Sequence, residues 1–463
     1  MAPSAFRDTL RPDTAALHTD LYQLTMLQAY HREGMHGEAV FDLFVRRLRN
    51  RNLLLACGLE QVLEYLEAVS FSDTALNYLA EQDLFEPAFL DWLAGFSFTG
   101  DVYAVPEGTP VFPDVPLLEV VAPIGEAQLV ETFLLNQITF QTGIASKAFR
   151  VVHAATADGT DRLVADFGMR RMHGTDATLK GARAMFIAGV GATSNVAAGQ
   201  AYDLPITGTM AHSYVEAHPD EASAFDAFSD LYPDTVLLVD TYDTLDGVQA
   251  VIDLAERRGD AFAVRGIRLD SGDLADLAHR ARQKLDAAGL HDVQILASSG
   301  LDEHAITDLL DANAPIDGFG VGTKMGTAAD HPYLDTAYKL CGYAGTARMK
   351  LSTAKSNLPG RKQVFRQYET GTAVRDVIAT EDETLDGEPL LRPVMRNGER
   401  VSAGKPRPVA AIREHAASKI NELPPRLLSI DDVAPYPVNV SKALQQRRER
   451  TEARLRAQAQ TSS

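Results

Sequence analysis

Cysteine is nearly absent from this chain: Cys57 and Cys341 are the only two, and they lie far apart in the sequence. No Cys-x-x-Cys or Cys/His spacing is present that would build a structural zinc site. This usage fits a reducing compartment and a cytoplasmic protein rather than a disulfide-stapled secreted one. Long apolar runs are also missing. Nothing approaches the roughly 18 consecutive apolar residues of a membrane-spanning helix. The opening MAPSAFRDTL carries no apolar stretch of the signal-peptide kind, so no export signal is expected. Positive charge is scarce: Lys and Arg number 44 against 63 Asp and Glu, a net charge of −19. An acidic surface of that size argues against nucleic acid or an anionic membrane as partner. Any anionic substrate must therefore be met by a local cluster of cations and backbone N–H groups. No short-period internal repeat occurs.

What is present is enough chain for two or three domains and a large core, since the sequence has 463 residues. LHTDLYQLTMLQAYHREGM predicts an amphipathic helix with Thr19 or Asp20 as its N-cap and Tyr22 in its first turn. EAVFDLFVRR predicts a strand, and GDVYAVPEGTPVFPDVPLLEVVAP a series of short β runs punctuated by Pro and Gly. From about Arg162 the texture changes. Strand-like runs alternate with helical ones: RLVADFG, GVGATSN, PITGTMAHS, TVLLVDTYD, FAVRGIRLDSGD, VQILASSG and IDGFGVGT. That rhythm predicts a parallel sheet, and so many successive units favour a barrel over an open sheet. The expected fold is α/β: an irregular (β/α) barrel with a second α+β lobe built from the N- and C-terminal parts. The expected boundaries are 1–145 for the N-terminal lobe, 146–335 for the barrel and 336–463 for a segment that returns to the first lobe.

Barrels carry their ligands at the C-terminal ends of the strands. Those ends hold Asp166, Ser194, Thr209, Asp240, Asp270, Ser298, Ser299, Gly320 and Gly322. His212, just beyond PITGTM, is placed to face the same ligand. GIRLDSGD sets Arg268, Asp270 and Asp273 at a strand end. The carboxylates suit ribose hydroxyls or a hydrated Mg²⁺, the planar guanidinium suits a carboxylate or phosphate, and DSGD is equally a helix cap. ASSGLDE and FGVGTKMG are two consecutive small-residue turns, with Gly300 and Gly322, of the kind that receives phosphate on backbone N–H groups. DFGMRR offers Phe167 for stacking on a flat ring and Arg170 or Arg171 for a negative group. The cations of KLSTAKSNLPGRKQVFR, Lys350 to Arg366, suggest an anion site in an otherwise acidic protein. These features by themselves describe an α/β-barrel enzyme acting on a phosphorylated sugar.

Taken together, HTDLYQLTM, DFGMRR, GATSNVAAG, GTMAHSYV, VDTYDT, RLDSGDL, FGVGT and the KLS…PGRKQVFR run, in this order, resemble the nicotinate phosphoribosyltransferase family. The resemblance covers nearly the whole chain. It implies synthesis of nicotinate mononucleotide from nicotinate and phosphoribosyl pyrophosphate in NAD salvage. ATP hydrolysis would be coupled through a phosphohistidine at His212, with Mg²⁺ accompanying the polyphosphates. By the same resemblance Asp240 would orient His212, and Tyr22 and Phe167 would sandwich the pyridine ring, Tyr22 coming from the other subunit of a homodimer. Thr209 and Arg268 would lie at nicotinate, with Arg170 or Arg171 adding counter-charge. Thr323, with Asp270, Gly300 and Gly322, would lie at the phosphoribosyl substrate. Ser194 would stand where the nicotinamide-specific branch carries an aspartate, so the acid is expected over the amide. The alternatives are a nicotinamide phosphoribosyltransferase and a barrel that has lost catalysis and serves as a scaffold; the presence of His212, Asp240, Arg268 and Asp270 speaks against the latter. The residues that ligate Mg²⁺ are not readable from the sequence.

Overall fold

The computed structural model describes residues 12–351 and 357–461. The chain forms two compact units, one from the residues up to Ser146 together with those from His331 onward, the other from Lys147 to Asp330.

In the first unit a seven-stranded sheet runs in the order Thr346–Ala347, Thr336–Tyr343, Glu38–Val45, Pro116–Pro123, Asp101–Ala104, Arg392–Arg396 and Glu399–Arg400. Its neighbours are all antiparallel. Glu38–Val45, central and buried over all but its first residue, reads EAVFDLFV because both of its faces are covered. The strand Thr336–Tyr343 lies against it, so the chain after residue 331 completes a sheet begun before residue 50. Lys362–Glu369 and Thr372–Thr380 form the middle of a second, four-stranded sheet. The expected N-terminal helix is Leu21–Arg32. Asp20 is its N-cap by position, yet the Asp20 side chain makes no cap bond and instead accepts from the Thr132 hydroxyl at 2.7 Å.

The cations of the PGRKQVFR run do not gather around an open anion site. Arg361 pairs with Glu119 at 3.1 Å, Lys362 with Asp42 at 2.8 Å and Arg366 with Asp376 at 2.8 Å. Strand pairing sets Asp376 opposite Arg366, Asp42 and Glu119 come from neighbouring strands of the seven-stranded sheet, and the first unit thereby neutralises the cluster internally. Lys350 is exposed, and Ser352 to Ser356 lie outside the described residues.

In the second unit six parallel strands are β1 (Leu163–Asp166), β2 (Ala192–Thr193), β3 (Val236–Leu238), β4 (Gly266–Leu269), β5 (Gln294–Ser298) and β6 (Gly318–Val321). They run in the order β2-β1-β6-β5-β4-β3. That is the cyclic order of a barrel with one seam left unpaired, between β2 and β3. The expected strand PITGTM falls at that seam and is not a strand. It makes a single parallel bridge, Ile206 with Thr193. Its Met210 carbonyl is satisfied instead by the Arg268 guanidinium at 3.0 Å, so the backbone needs no neighbouring strand.

The helices after the strands are α1 (Thr175–Ile187), α2 (Val196–Tyr202), α3 (His212–Glu216), α4 (Glu221–Leu231), α5 (Thr244–Arg258), α6 (Leu274–Ala287), α7 (Glu303–Asp311) and α8 (Thr323–Gly326). Asn195, Asp220, Asp243, Asp273 and Asp302 cap α2, α4, α5, α6 and α7 through their side chains, each contributing about 1 kcal/mol. The cap reading of DSGD thus holds for Asp273, whose carboxylate is spent on the N–H groups of Ala275 and Asp276.

Candidate active site

The parallel sheet ends in polar residues along one edge. Asp166 and Ser298 close β1 and β5, Asp270 and Gly322 directly follow β4 and β6, and Asp240 lies two residues beyond β3. Of these, Asp270, Ser298 and Gly322 belong to a cavity of about 210 Å³ lined by Phe167, Arg170, Arg171, Arg268, Asp270, Ser298, Ser299, Gly300, Leu301, Gly320, Gly322, Thr323 and Lys324. Among the residues expected at a site, Phe167, Arg170, Arg268, Asp270, Gly300, Gly322 and Thr323 are thus brought together. Arg171 joins Arg170 in the lining, so both arginines of DFGMRR face it. Two regular features of the fold explain this: the parallel strands end at one level, and the tight turns after β1, β5 and β6 keep the following residues there.

Arg268 is the hub. Its Nε donates to Thr209 Oγ1 at 3.1 Å, Nη1 to Asp270 Oδ1 at 2.9 Å and to Ser298 Oγ at 3.0 Å, and Nη2 to the Met210 carbonyl at 3.0 Å. Burial pushes its pKa down from the ordinary value, Asp270 and Asp240 oppose that, and Arg170 adds to it. An arginine remains charged through such a shift. The four acceptors fix the fork at the cavity floor, with its side chain only 12% exposed.

Phe167 is set by a clamp beneath it. Asp166 is buried; its Oδ1 accepts from the Gly168 N–H at 2.7 Å and its Oδ2 from the Thr193 hydroxyl at 2.8 Å. Burial pushes this carboxyl up and the two donors draw it back. The Phe167 ring lies against Gly320: a Cβ there would sit 2.4 Å from the ring. The neighbouring turn has Ser299 at φ +80° and Gly300 at φ +65°. Two successive left-handed residues curve the backbone into a concavity whose N–H groups suit an anion.

His212, first residue of α3, has Nδ1 at 3.1 Å from Thr241 Oγ1 and Nε2 at 3.7 Å from Asp270 Oδ2, with a side chain 39% exposed. Asp240, expected to orient it, does not bond it. Its Oδ2 accepts from the Asp270 N–H at 2.8 Å and the Ser271 hydroxyl at 2.7 Å, so it holds the Asp270 turn, and Thr241 takes the imidazole. The change follows from geometry: residues 240 and 241 fall in the same loop after β3, and the β4 turn competes for Asp240. The second Asp240 oxygen is buried without a hydrogen-bond partner among the described residues. Glu221, at the start of α4, has a similarly unpartnered oxygen. Burial and the charges of Asp240, Asp246 and Asp243 push its carboxyl up to about 7.

Ser194 is not in the cavity lining. Its backbone N–H donates to the Asp166 carbonyl at 2.8 Å, and the cap of α2 falls to Asn195, not to Ser194. Tyr22 belongs to the first unit and is 47% exposed. Lys324 is a lining residue the sequence did not single out, although it stands in the quoted FGVGTKMG; a cation directly after a glycine turn was the available signal. Thr241 was missed for lack of any signal, since a threonine beside an aspartate has many uses. Among the described residues no group of three or more His, Cys, Asp or Glu is arranged to hold a metal ion, and no helix is long and apolar enough to cross a membrane.

Comparison with known proteins covers most of the chain. Residues 17–139 match the nicotinate phosphoribosyltransferase N-terminal domain model, 163–345 the nicotinate phosphoribosyltransferase family model and 384–448 the corresponding C-terminal domain model. The chain is 52% identical over 434 residues to a nicotinate phosphoribosyltransferase of Mycobacterium tuberculosis, covering 93% of each. It is 44% identical over 393 residues to one of Bacillus subtilis, covering 82% of this chain and 79% of that one. The crystal structure of human nicotinic acid phosphoribosyltransferase superposes with a TM-score of 0.81 at 28% identity, covering 92% of this chain and 98% of that one.

Proposed function

The chain belongs to the nicotinate phosphoribosyltransferase family and has that family's function in NAD biosynthesis; from that premise we propose that it joins nicotinate to phosphoribosyl pyrophosphate at the Arg268 cavity and couples the step to ATP through a phosphohistidine at His212. In the joining step the pyridine nitrogen forms a bond to the anomeric carbon as the bond from that carbon to pyrophosphate breaks. Positive charge develops on the sugar and negative charge on the leaving group, so the site must hold the first in place and stabilise the second. The observation that carries this reading is the Arg268 hub in a cavity with Phe167 on one wall and glycine turns on another. Phe167 offers a flat apolar face to the pyridine. Arg268, with Arg170 and Arg171, supplies counter-charge to a carboxylate. Ser299–Gly300 and Gly322–Thr323 offer backbone N–H groups and a hydroxyl to phosphate.

Mg²⁺ fits as a companion of the substrate rather than as a resident ion. The chain builds no metal cage among the described residues, and Mg²⁺ bound with phosphates needs only one or two protein carboxylates. Asp270 Oδ2, which no hydrogen bond engages among the described residues, is the donor we assign. When bound, the ion would neutralise charge on the departing pyrophosphate. For the ATP half-reaction, the γ-phosphoryl group passes to the imidazole nitrogen that Thr241 does not hold, Nε2, and water later takes it. The neighbouring Asp270 ties that histidine to the sugar site. Tyr22 is assigned to the opposite face of the pyridine, supplied by a second copy of the chain in a homodimer.

The test is direct. Purified protein is mixed with Mg²⁺, phosphoribosyl pyrophosphate and either nicotinate or nicotinamide, with and without ATP, and mononucleotide and ADP are measured. Nicotinate mononucleotide with ADP release is expected. Label from γ-labelled ATP should appear as acid-labile phosphate on the wild type and be absent from His212→Ala. Equal labelling of the two proteins removes His212 from the scheme, and a preference for nicotinamide removes the substrate assignment.

A further inference from the structure

The first unit holds a cavity of its own, about 200 Å³ in volume. Asp42, Phe44 and Pro116 reach it from the seven-stranded sheet, Lys362 and Ile378 from the four-stranded one. The edge strand Val438–Val440, parallel to Thr372–Thr380, adds two valines, and the C-terminal helix Lys442–Thr461 adds Arg448. The cavity shares no lining residue with the one at Arg268. Part of the Lys350 to Arg366 stretch lies in its wall, where the sequence suggested an anion site.

The floor offers no charge to a ligand. The Lys362 ammonium donates to Asp42 Oδ2 at 2.8 Å, to the Leu358 carbonyl at 3.1 Å and to the Gly360 carbonyl. Those are all three of its donors. An anionic group carried inward would meet Asp42, whose Oδ1 is already buried without a hydrogen-bond partner among the described residues. A cationic group would meet the Lys362 ammonium. Either would also lose its water. The walls are apolar: Phe44, Pro116, Leu358, Ile378, Val438 and Val440. An apolar cavity of about 150 Å³ accepts a benzene ring, so this one takes a ring or a branched chain with a short stem.

Charge is available only at the mouth. Asp114 and Arg448 are the exposed residues of the lining. Among the described residues neither side chain makes a hydrogen bond or an ion pair, and the two do not pair with each other. Arg46, which attracts Asp114 from further off, is bonded to Asp335 at 2.9 Å. One open acid and one open base thus border an apolar hollow. That combination fits a molecule with an apolar body and both signs of charge at one end.

We propose that this cavity binds a zwitterionic amino acid with a large apolar side chain. The side chain enters between the strands, the α-carboxylate meets Arg448 and the α-ammonium meets Asp114. Bound there, the amino acid ties the C-terminal helix to both sheets of the first unit and stabilises that unit by mass action. The inference is independent of the function proposed above, because no residue of the Arg268 cavity takes part.

Calorimetry on the purified protein tests this, with L-phenylalanine, 3-phenylpropionate, phenethylamine and glycine as probes and thermal melts to confirm that each variant folds. Phenylalanine should bind the wild type and raise its melting temperature. Phenylpropionate and phenethylamine each lack one charge and should bind about tenfold more weakly, the worth of one charge-assisted hydrogen bond. Glycine lacks the apolar body and should not bind. Arg448→Gln should raise the Kd for phenylalanine about tenfold and leave that for phenethylamine unchanged. Asp114→Asn should raise the Kd for phenylalanine and leave that for phenylpropionate unchanged. Asparagine tolerates the left-handed φ of +65° at this position. Val440→Phe fills the hollow and should abolish binding, while Arg268→Ala should not alter it. A wild type that does not bind phenylalanine overturns the proposal. So does binding that ignores both charge variants, or binding that is lost in Arg268→Ala, which would put the amino acid in the other cavity. Should Val440→Phe fail to fold, the two charge variants still decide.

Discussion

Gly320 has no side chain because the Phe167 ring occupies the place one would take; the ring would lie 2.4 Å from an added Cβ, and Ser298 Cβ 3.3 Å away bars escape on the other side. Gly320→Ala must therefore tilt the ring. Overpacking of this kind costs about 1–3 kcal/mol, and here it also displaces the face assigned to the pyridine. The expected result is a KM for nicotinate raised about tenfold or more, roughly the loss of one stacking contact, with the protein still folded. An unchanged KM would show that the ring does not carry the base. Glu221 supplies a second residue-scale outcome. Its carboxyl is pushed up from 4.5 to about 7 by burial and by Asp240, Asp246 and Asp243. The folded form thus holds this proton more tightly than the unfolded chain does. The stability it contributes is complete below about pH 4.5 and is lost as pH rises through about 7. In Glu221→Gln that loss is absent, so its melting temperature should gain on the wild type between pH 5 and pH 8 at fixed ionic strength. Parallel melting curves across that range would show that the carboxyl titrates normally. The sequence marked Gly320 only as one of the strand ends and Glu221 only as part of a helix, because ring clearance and mutual carboxylate distance exist only after folding.

The strand Lys362–Glu369 illustrates how an element can mislead in one dimension. Read linearly, its cations and the preceding Arg361 invite phosphate; in the folded unit they meet Asp42, Glu119 and Asp376. The Lys362–Asp42 pair is nearly sealed from solvent, with side chains 1% and 3% exposed. Lys362→Met should cost ~3–5 kcal/mol, since it strands a buried carboxylate, and guanidinium unfolding measures it. Adding Asp42→Leu to that variant should recover much of the loss, because an apolar pair of similar volume replaces the ions; no recovery would mean that the packing around Asp42, not its charge, carries the cost. Elements whose signals are local were legible. Five of the second unit's helices have backbone N–H groups capped by the side chain of the Asp or Asn that precedes them, and the strands with apolar runs formed where expected. PITGTM did not form a strand: its Pro205 carbonyl and the following Thr207 N–H bond Thr193 alone, and its Met210 carbonyl is met by the side chain of Arg268 from another strand.

For the whole molecule, the proposed sharing of sites between two copies has its own outcome. Tyr22→Ala and His212→Ala, each weak alone, should regenerate activity when co-expressed, since mixed dimers hold some sites with both residues intact; sites of one copy would give no complementation, and an active monomer by sedimentation would end the idea. At this scale the amino-acid sequence by itself determined the fold class, through the alternation of strand and helix signals, and the family, through motifs spread over nearly the whole chain. It also determined most of the residues around the cavity, because in a parallel sheet the residue after each strand lies at one edge whatever the rest of the chain does. Only the tertiary structure decided which of those residues touch: that Thr241 rather than Asp240 holds His212, that both arginines of DFGMRR reach the cavity, and that Ser194 lies outside its lining. The physical reason is range. Propensity, capping and periodicity act over a few neighbouring residues and leave their mark in the sequence, whereas a hydrogen bond between two loops depends on how far apart the folded sheet sets their strands.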